Sequence, residues 1–220
     1  MVCLLCGDYI RPKLNFSSLF LYPKTICDKC QNRLETVKRG CPICGKKNLD
    51  DICEDCRYWE KNHIVVPNYS LYYYNSYAKE IMRRIKFLGD AHLLLAFQND
   101  IKEFFKKGKY KNYYLVPVPL HPIRFIERGF NQSLLLANLI NLPIIDIVVR
   151  TSNEKQSKKK KVDRLVLDNQ YQLIDRIEND VKNIIIVDDI YTTGATVHKI
   201  AKLLYDNNIE KVVSFTLFRS

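Results

Sequence analysis

The chain has 220 residues with eight cysteines, and its formal net charge at pH 7 is +11. This length fits one domain of ordinary size together with a smaller one. No run of about 18 apolar residues occurs, and charged side chains enter early, at Asp8 and Arg11. We therefore expect neither a membrane-spanning helix nor a secretory signal. The positive charge suits nucleic acid, phosphorylated small molecules or an anionic membrane, and composition does not choose among them.

The cysteines form four Cys-x-x-Cys pairs, all within the first 56 residues. Two thiolates two residues apart can bind one metal ion, and two such pairs complete a tetrahedral site. The spacing favours two zinc ribbons in succession: Cys3 and Cys6 with Cys27 and Cys30, then Cys41 and Cys44 with Cys53 and Cys56. An interleaved pairing, first pair with third and second with fourth, is the alternative.

An all-cysteine ligand set leaves no open position, so both zinc ions are predicted to be structural. A disulfide framework fits less well because nothing in the sequence indicates an oxidising compartment. Thioredoxin-like chemistry is disfavoured because the pairs do not lie in a βαβ context. We expect a zinc-ribbon module over residues 1–62, whose folding depends on metal, and an α/β domain over residues 63–220.

The second part alternates between strand and helix patterns. Strands are predicted near 65–74, 113–118, 144–149, 184–188 and 212–217, and helices near 77–87, 93–105, 131–140 and 195–205. This alternation predicts a mainly parallel sheet with helices on both faces. The tyrosines at 72–74 and Trp59 could stack on nucleic-acid bases, although strand core is the commoner use of such tyrosines.

Two basic polar segments separate these elements. Residues 119–132, with the sequence PLHPIRFIERGFNQ, are predicted to be a bent loop in which Arg124 and Arg128 could bind a pyrophosphate. The alternative is a solvated turn that ends in a helix cap by Asn131. His121 is predicted to be a hydrogen-bonding loop residue in preference to a general base.

The second basic segment, residues 150–161, has no apolar periodicity and predicts a mobile loop. It could close over an anionic substrate or follow a nucleic-acid backbone, or it could be a solvated run of charge. The nucleic-acid candidates are the consecutive residues Lys158, Lys159, Lys160 and Lys161.

The segment 184–196 carries the most information about function. Four β-branched residues, 184–187, lead into Asp188 and Asp189, as in a buried strand with carboxylates at its end. Those carboxylates could accept hydrogen bonds from ribose hydroxyls or hold Mg²⁺. The following turn and helix N-terminus could bind a phosphate through backbone N–H groups. The alternative is a strand followed by a capped helix with no ligand.

The sequence VDDIYTTGAT at 187–196 resembles the phosphoribosyl pyrophosphate (PRPP) fingerprint of type I phosphoribosyltransferases. Together with the cysteine pairs and residues 117–132, it makes the whole chain resemble the ComF/ComFC family of competence proteins. The resemblance implies a phosphoribosyltransferase-like α/β fold. It assigns Asp188 and Asp189 to the ribose, to Mg²⁺ and to any catalysis, and it assigns the 5′-phosphate to Thr192, Thr193, Gly194, Ala195 and Thr196. Gln156 and Arg164 match a flexible loop of the family, whereas Leu167 stands where we expect an asparagine.

The family resemblance leaves two main functional hypotheses. In the first, the chain is a cytoplasmic competence protein, peripheral at the inner face of the membrane, that binds single-stranded DNA and uses PRPP or a similar phosphosugar as a ligand. A helicase-like ATPase and the membrane DNA-import machinery are the implied partners. In the second, it is an active phosphoribosyltransferase that acts on an unidentified base or modified nucleotide. A structural zinc adaptor with an inactive sugar site is a third interpretation.

Overall fold

A computed structural model of the chain describes residues 1–11, 23–106, 108–151 and 170–220. The loop candidates Gln156, Lys158, Lys159, Lys160, Lys161 and Arg164 lie outside the described residues, and so does Leu167. What the sequence suggests for these residues therefore stays a prediction.

The described strands form two sheets. Their bounds are β1 Asn68–Tyr73, β2 Tyr114–Pro117, β3 Val148–Arg150, β4 Tyr171–Leu173, β5 Asn183–Tyr191 and β6 Lys211–Arg219. The main sheet has the order β1–β6–β5–β2, and all of its pairings are parallel. Strands β3 and β4 pair antiparallel in a sheet of their own. The predicted α/β class with a parallel sheet is confirmed.

The helices lie on both faces of the main sheet. They are α1 Asp28–Arg33, α2 Glu54–Lys61, α3 Ser76–Leu88, a 3₁₀ helix Ala91–Phe97, α4 Gln98–Phe105, α5 Pro122–Arg128, α6 Gln132–Ala137 and α7 Ala195–Tyr205. Ile185 and Val187 of β5 pack with α3, the 3₁₀ helix, α4 and α6, whereas Ile184 and Ile186 pack with α7. The apolar run 184–187 is therefore buried on both sides, as an interior parallel strand requires.

The N-terminal part packs against both faces of the same sheet. Cys3 and Cys30 belong to the core beneath α3, and the cysteines at 41–56 belong to the core beneath α7. Residues 35–37 also bond the free edge of β1: Val37 N donates to Leu71 O (3.0 Å) and Tyr73 N donates to Glu35 O (2.7 Å). The division into 1–62 and 63–220 stays a prediction. Within the described ranges, no helix is long and apolar enough to cross a membrane.

The helix predicted near 93–105 is divided into the 3₁₀ helix and α4, and three further predicted elements differ from the structure. The predicted strand 144–149 is divided, because Ile144 bridges to Leu115 of β2 whereas Val148–Arg150 pairs with the distant strand β4. Residues 122–128 form α5 and not a bent loop, since Pro122 occupies the first turn and Gly129 (φ 78°) ends the helix. Strand β5 also continues past the acidic pair to Tyr191, because β6 pairs with it along that length.

Candidate ligand site at the carboxyl edge of the sheet

The phosphate-binding candidates lie where β5 passes into α7. Gly194 occupies the N-cap position with φ 82°, and α7 receives no side-chain cap hydrogen bond. The first N–H groups of an α-helix have no partner within the helix, and the helix dipole makes this end positive. The turn 192–196 and the first turn of the 11-residue helix α7 therefore provide backbone donors suited to an anion.

Asp188 lies at the same edge, past the last residue of its neighbour β2, which ends at Pro117 opposite Val187. Its Oδ1 accepts hydrogen bonds from Ser133 Oγ (3.0 Å) and from the backbone N–H of Asp189 (2.9 Å). The hydrogen bonds of this half-buried side chain involve Oδ1 alone in the described part of the chain. Burial, followed by the nearby Asp189 carboxylate, raises the pKa of Asp188 to about 7.

Asp189 has a different environment. Its side chain is buried, and Oδ2 forms an ion pair with Lys86 Nζ at 2.7 Å. The last turn of α3 supplies Lys86, whose carbonyl accepts a hydrogen bond from Arg128 Nε (3.2 Å). The two adjacent aspartates are thus unequal. Asp188 has an oxygen available for a ligand, whereas Asp189 fixes a lysine beside it.

The predicted pyrophosphate residues occupy α5 with different partners. Arg128, at the end of α5, bonds Lys86 O and also donates to Gln132 Oε1, so it lies next to the acidic pair. Arg124 is exposed and pairs with Glu127 at 3.1 Å. His121 is the N-cap of α5, where Nδ1 accepts from the N–H of Ile123 (3.3 Å). This capping contact agrees with the hydrogen-bonding role predicted for His121.

The eight cysteines form two tetrads in the sequential arrangement and not in the interleaved one. One tetrad joins the first two Cys-x-x-Cys pairs, the other joins the last two, and within each tetrad the sulfur atoms lie within 4.8 Å of one another. Tetrahedral zinc with Zn–S bonds of about 2.3 Å places its sulfurs about 3.8 Å apart. The Cys6–Cys27, Cys41–Cys56 and Cys44–Cys53 sulfur separations are 3.7, 3.8 and 3.6 Å. Both tetrads could therefore hold a zinc ion.

The structure does not support the aromatic stacking platform suggested by sequence. Tyr72 and Tyr73 are buried in the core. Trp59 stacks on His198 of α7 with ring centroids 4.3 Å apart and planes 7° apart, and its Nε1–H donates to Thr193 O (2.8 Å). One face of the indole is thus covered, and Trp59 packs against the turn 192–196.

Several residues at the site are not marked by any sequence motif. Lys86, Ser133 and Arg219 all contact residues 188–192, and each belongs to a segment far from them in the chain. His198 is buried on α7, where Nδ1 contacts Gly194 O at 2.8 Å. The sequence gives one indication of this contact. His198 comes four residues after Gly194, and residues at i and i+4 are neighbours on a helix.

Comparison with known proteins agrees with this geometry. The family model of the phosphoribosyl transferase domain matches residues 129–220, which include the acidic pair and the turn. Competence protein ComFC of Bacillus subtilis is 38% identical, over 100% of this chain and 95% of that protein. Competence protein ComFC of Streptococcus pneumoniae is 34% identical, over 100% of both chains. The chain belongs to the ComFC family of competence proteins.

Other similarities to this ComFC-family chain are partial. Competence protein F of Haemophilus influenzae is 29% identical over 48% of this chain and 50% of that protein. A hypoxanthine phosphoribosyltransferase structure from Staphylococcus aureus is 20% identical, covers 58% of this chain and 65% of its own, and has a TM-score of 0.35. A purine phosphoribosyltransferase from Pyrococcus horikoshii is 14% identical, with coverages of 56% and 84% and a TM-score of 0.33. The phosphoribosyltransferase fold of this chain follows from its family match and its parallel sheet.

Proposed function

We propose that this ComFC-family chain binds PRPP or a related phosphosugar, with Mg²⁺, while it handles single-stranded DNA taken up during competence. The proposal rests on one observation, the closeness of two features at one edge of the sheet. The uncapped N-terminus of α7 and the partly free carboxylate of Asp188 lie at the same carboxyl edge of a parallel sheet. A ligand that carries a phosphate beside vicinal hydroxyls fits both features.

The roles of the residues follow from their surroundings. The amides of 192–196, with the hydroxyls of Thr192, Thr193 and Thr196, bind the 5′-phosphate. Asp188 accepts hydrogen bonds from the ribose hydroxyls or binds Mg²⁺. Asp189 acts through Lys86, which it holds at 2.7 Å. Lys86 and Arg128 then present positive charge to the pyrophosphate, with Arg124 farther out on α5.

A thermal-shift series tests this ligand class. With Mg²⁺ present, PRPP should raise the melting temperature more than ribose 5-phosphate or pyrophosphate does, because only PRPP occupies both halves of the site. Equal shifts for PRPP and pyrophosphate would reduce the site to a general anion site and contradict the sugar assignment.

The DNA part of the proposal is supported by membership of the ComFC family and by the positive net charge, since two zinc-loaded tetrads at −2 each lower the formal +11 only to +7. Lys158, Lys159, Lys160 and Lys161 are the proposed backbone contacts. The helicase-like ATPase, the DNA-import machinery and a cytoplasmic position at the inner membrane face are proposed as the setting of this activity. The cysteine tetrads are proposed to hold two structural zinc ions.

Affinity for single-stranded DNA, measured against salt concentration, tests the basic segment. Replacement of Lys158–Lys161 by glutamine should reduce the salt slope of log K by up to about 3, since each phosphate contact contributes about 0.7. The control variant replaces four other exposed lysines, Lys106, Lys109, Lys111 and Lys211, and so removes the same charge. Equal effects in the two variants would show a general charge effect and no contact by 158–161.

The second candidate function is an active phosphoribosyltransferase. It is favoured by the cations beside the acidic pair, because Lys86, Arg128 and Mg²⁺ would stabilise a leaving pyrophosphate as the C1–oxygen bond breaks. Release of pyrophosphate that depends on an added base or nucleotide would establish this activity. PRPP binding without any such release would leave the phosphosugar as a ligand, and absence of binding would favour the zinc-adaptor interpretation.

A further inference from the structure

A buried arginine connects the second cysteine tetrad with the phosphate-binding turn. Arg219 is only 1% exposed. On one side its guanidinium donates to Cys44 O from Nε (2.9 Å) and to Cys44 Sγ from Nη2 (3.1 Å). On the other side Nη1 donates to Tyr191 O (3.1 Å) and to Thr192 O (2.9 Å). One side chain therefore joins a metal-ligand candidate to the residues that begin the turn.

The charge of Arg219 explains why it depends on the tetrad. A buried guanidinium is costly unless a negative charge compensates it. Among the described residues no carboxylate side chain pairs with Arg219; its side-chain partner is Cys44, and Nη1 also donates to the main-chain oxygen of Ser220. Four thiolates around one Zn²⁺ carry a net charge of −2. A zinc-loaded tetrad would thus supply a compensating negative charge beside this arginine.

Trp59 provides a second, independent connection. It follows Cys56 on α2, so the position of this helix is tied to the tetrad. Its indole N–H bonds Thr193 O at 2.8 Å, and its ring stacks on His198, whose Nδ1 contacts Gly194 O. Carbonyls of Tyr191, Thr192, Thr193 and Gly194 are therefore all held by Arg219, Trp59 or His198. With their carbonyls fixed, the N–H groups of the turn keep one orientation.

The first tetrad is also connected to the α/β part by an arginine, at a different place. Arg84 of α3 donates from Nη1 to Leu5 O (2.7 Å), between Cys3 and Cys6, and from Nη2 to Asp90 (2.9 Å). This connection also joins a cysteine knuckle to the α/β part, but it does not contact the turn. Arg84 is therefore a matched control for Arg219.

We infer that Arg219 and Trp59 are positioning residues through which the second cysteine tetrad fixes the phosphate-binding turn 192–196. The inference deepens the proposed function and takes the turn's ligand from it. The tetrad at Cys41–Cys56 thereby has a role in ligand binding beyond holding the N-terminal part together. The tetrad at Cys3–Cys30 has no such connection within the described residues.

Hydrogen exchange without ligand tests the inference directly. In Arg219→Lys, the amides of 198–200, which donate to the carbonyls of 194–196, should exchange at least about tenfold faster, because the charge-assisted fork that anchors the turn beneath them is lost. Amides of β6 at 212–217 serve as the internal reference and should be unchanged. Arg84→Lys should leave both sets within about twofold of wild type. Trp59→Phe keeps the stacking and loses the N–H donor, so it should accelerate exchange at 198–200 alone; this variant decides the question if Arg219→Lys does not fold.

The single tryptophan of the chain adds a spectroscopic readout, since Trp59 lies between the tetrad and the turn. Its fluorescence should change in Arg219→Lys and stay at the wild-type value in Arg84→Lys.

Affinity for PRPP with Mg²⁺ should fall at least about tenfold in Arg219→Lys and by less than about twofold in Arg84→Lys. If the wild type does not bind PRPP, the proposed function fails while hydrogen exchange still decides the inference. Wild-type exchange at 198–200 in both Arg219→Lys and Trp59→Phe overturns the inference.

Discussion

The two adjacent aspartates, Asp188 and Asp189, have different partners in the structure. Asp188 accepts hydrogen bonds on one oxygen and has a pKa raised to about 7, whereas Asp189 is buried against Lys86. The sequence shows two consecutive aspartates and cannot distinguish them. What separates them is the set of long-range partners, Ser133 for one and Lys86 for the other. We therefore expect substitutions at the two positions to have different effects.

Replacement of Asp188 by asparagine should stabilise the free protein and abolish ligand binding. The substitution removes a carboxylate whose ionised form is disfavoured by burial and by Asp189, so at pH 8 the free energy of unfolding should rise by ~2–4 kcal/mol. Thermal melting checks this change, and calorimetry with PRPP and Mg²⁺ checks binding. Asp180→Asn, at an exposed residue before β5 and away from the turn, is the control. An Asp188→Asn variant that binds PRPP normally contradicts the assigned role.

The raised pKa of Asp188 also predicts a pH dependence. Because the folded-state pKa exceeds the ordinary value of 3.8, this group favours folding most below about pH 4. That contribution is lost as the pH rises through about 7. Binding of Mg²⁺ requires the ionised form, so affinity for PRPP with Mg²⁺ should increase between pH 6 and pH 8. Calorimetry at both values tests this, and equal affinities would mean that Asp188 does not titrate with the ligand.

At the level of elements, the turn between β5 and α7 is shaped by contacts as much as by glycine. Gly194 has a positive φ of 82°, and a Cβ there would collide with the Tyr191 hydroxyl and lie 2.9 Å from His198 Nδ1. The turn must therefore keep glycine at this position for two reasons, backbone conformation and space. A comparison with Gly89, which has a positive φ but no close neighbour, separates the effect of conformation from the effect of space.

Gly194→Ala should cost more than Gly89→Ala. Gly89 ends α3 with φ 72°, and a methyl group added to its Cα would have no other atom within 4 Å, so alanine there costs only the left-handed strain, about 1 kcal/mol. At Gly194 the collision adds to that strain, and we expect a loss of about 2–4 kcal/mol in the free energy of unfolding. Denaturant titrations measure both. Similar losses at the two positions would show that Tyr191 and His198 move aside easily.

Sequence patterns predict an element well when its neighbours in the chain determine it, and they fail when it pairs with residues far away in the sequence. The helix predicted at 195–205 has those bounds in the structure, because its apolar periodicity and the preceding glycine are local. The strand predicted at 144–149 is wrong in extent, because its second half pairs with β4 across a long stretch of chain. Helix α5 is not predicted, although Pro122 and Gly129 mark its ends. The segment is short, and its apolar residues Ile123, Phe125 and Ile126 are exposed, so α5 buries no residue in the core.

For the whole molecule, sequence spacing predicts the two cysteine tetrads but not their relation to the sheet. Cys-x-x-Cys pairs are local signals, and each pair needs only its nearest neighbour in the chain to complete a tetrad. The contacts of Cys44 with Arg219 span 175 positions, and no local pattern encodes them. The N-terminal cysteines are thus connected to the candidate ligand site through residues that carry no motif of their own.

Metal analysis checks the tetrads at this scale. Native mass spectrometry should find ~2 zinc ions per chain, since each closed Cys₄ set binds one ion. Removal of the metal by a chelator should expose the N-terminal part to proteolysis, because metal binding supplies its folding free energy. A chain that is metal-free as purified, and resists proteolysis in that state, would contradict the zinc-ribbon assignment.

We propose that the acidic pair and the uncapped turn form one phosphosugar site. Isothermal calorimetry of the wild type with PRPP and Mg²⁺, repeated on an Asp188→Ala, Asp189→Ala double variant, tests it most directly. We predict binding of one PRPP per chain that requires Mg²⁺ and is lost in the double variant. A wild type that binds no PRPP, or a double variant that binds it equally well, would contradict the account.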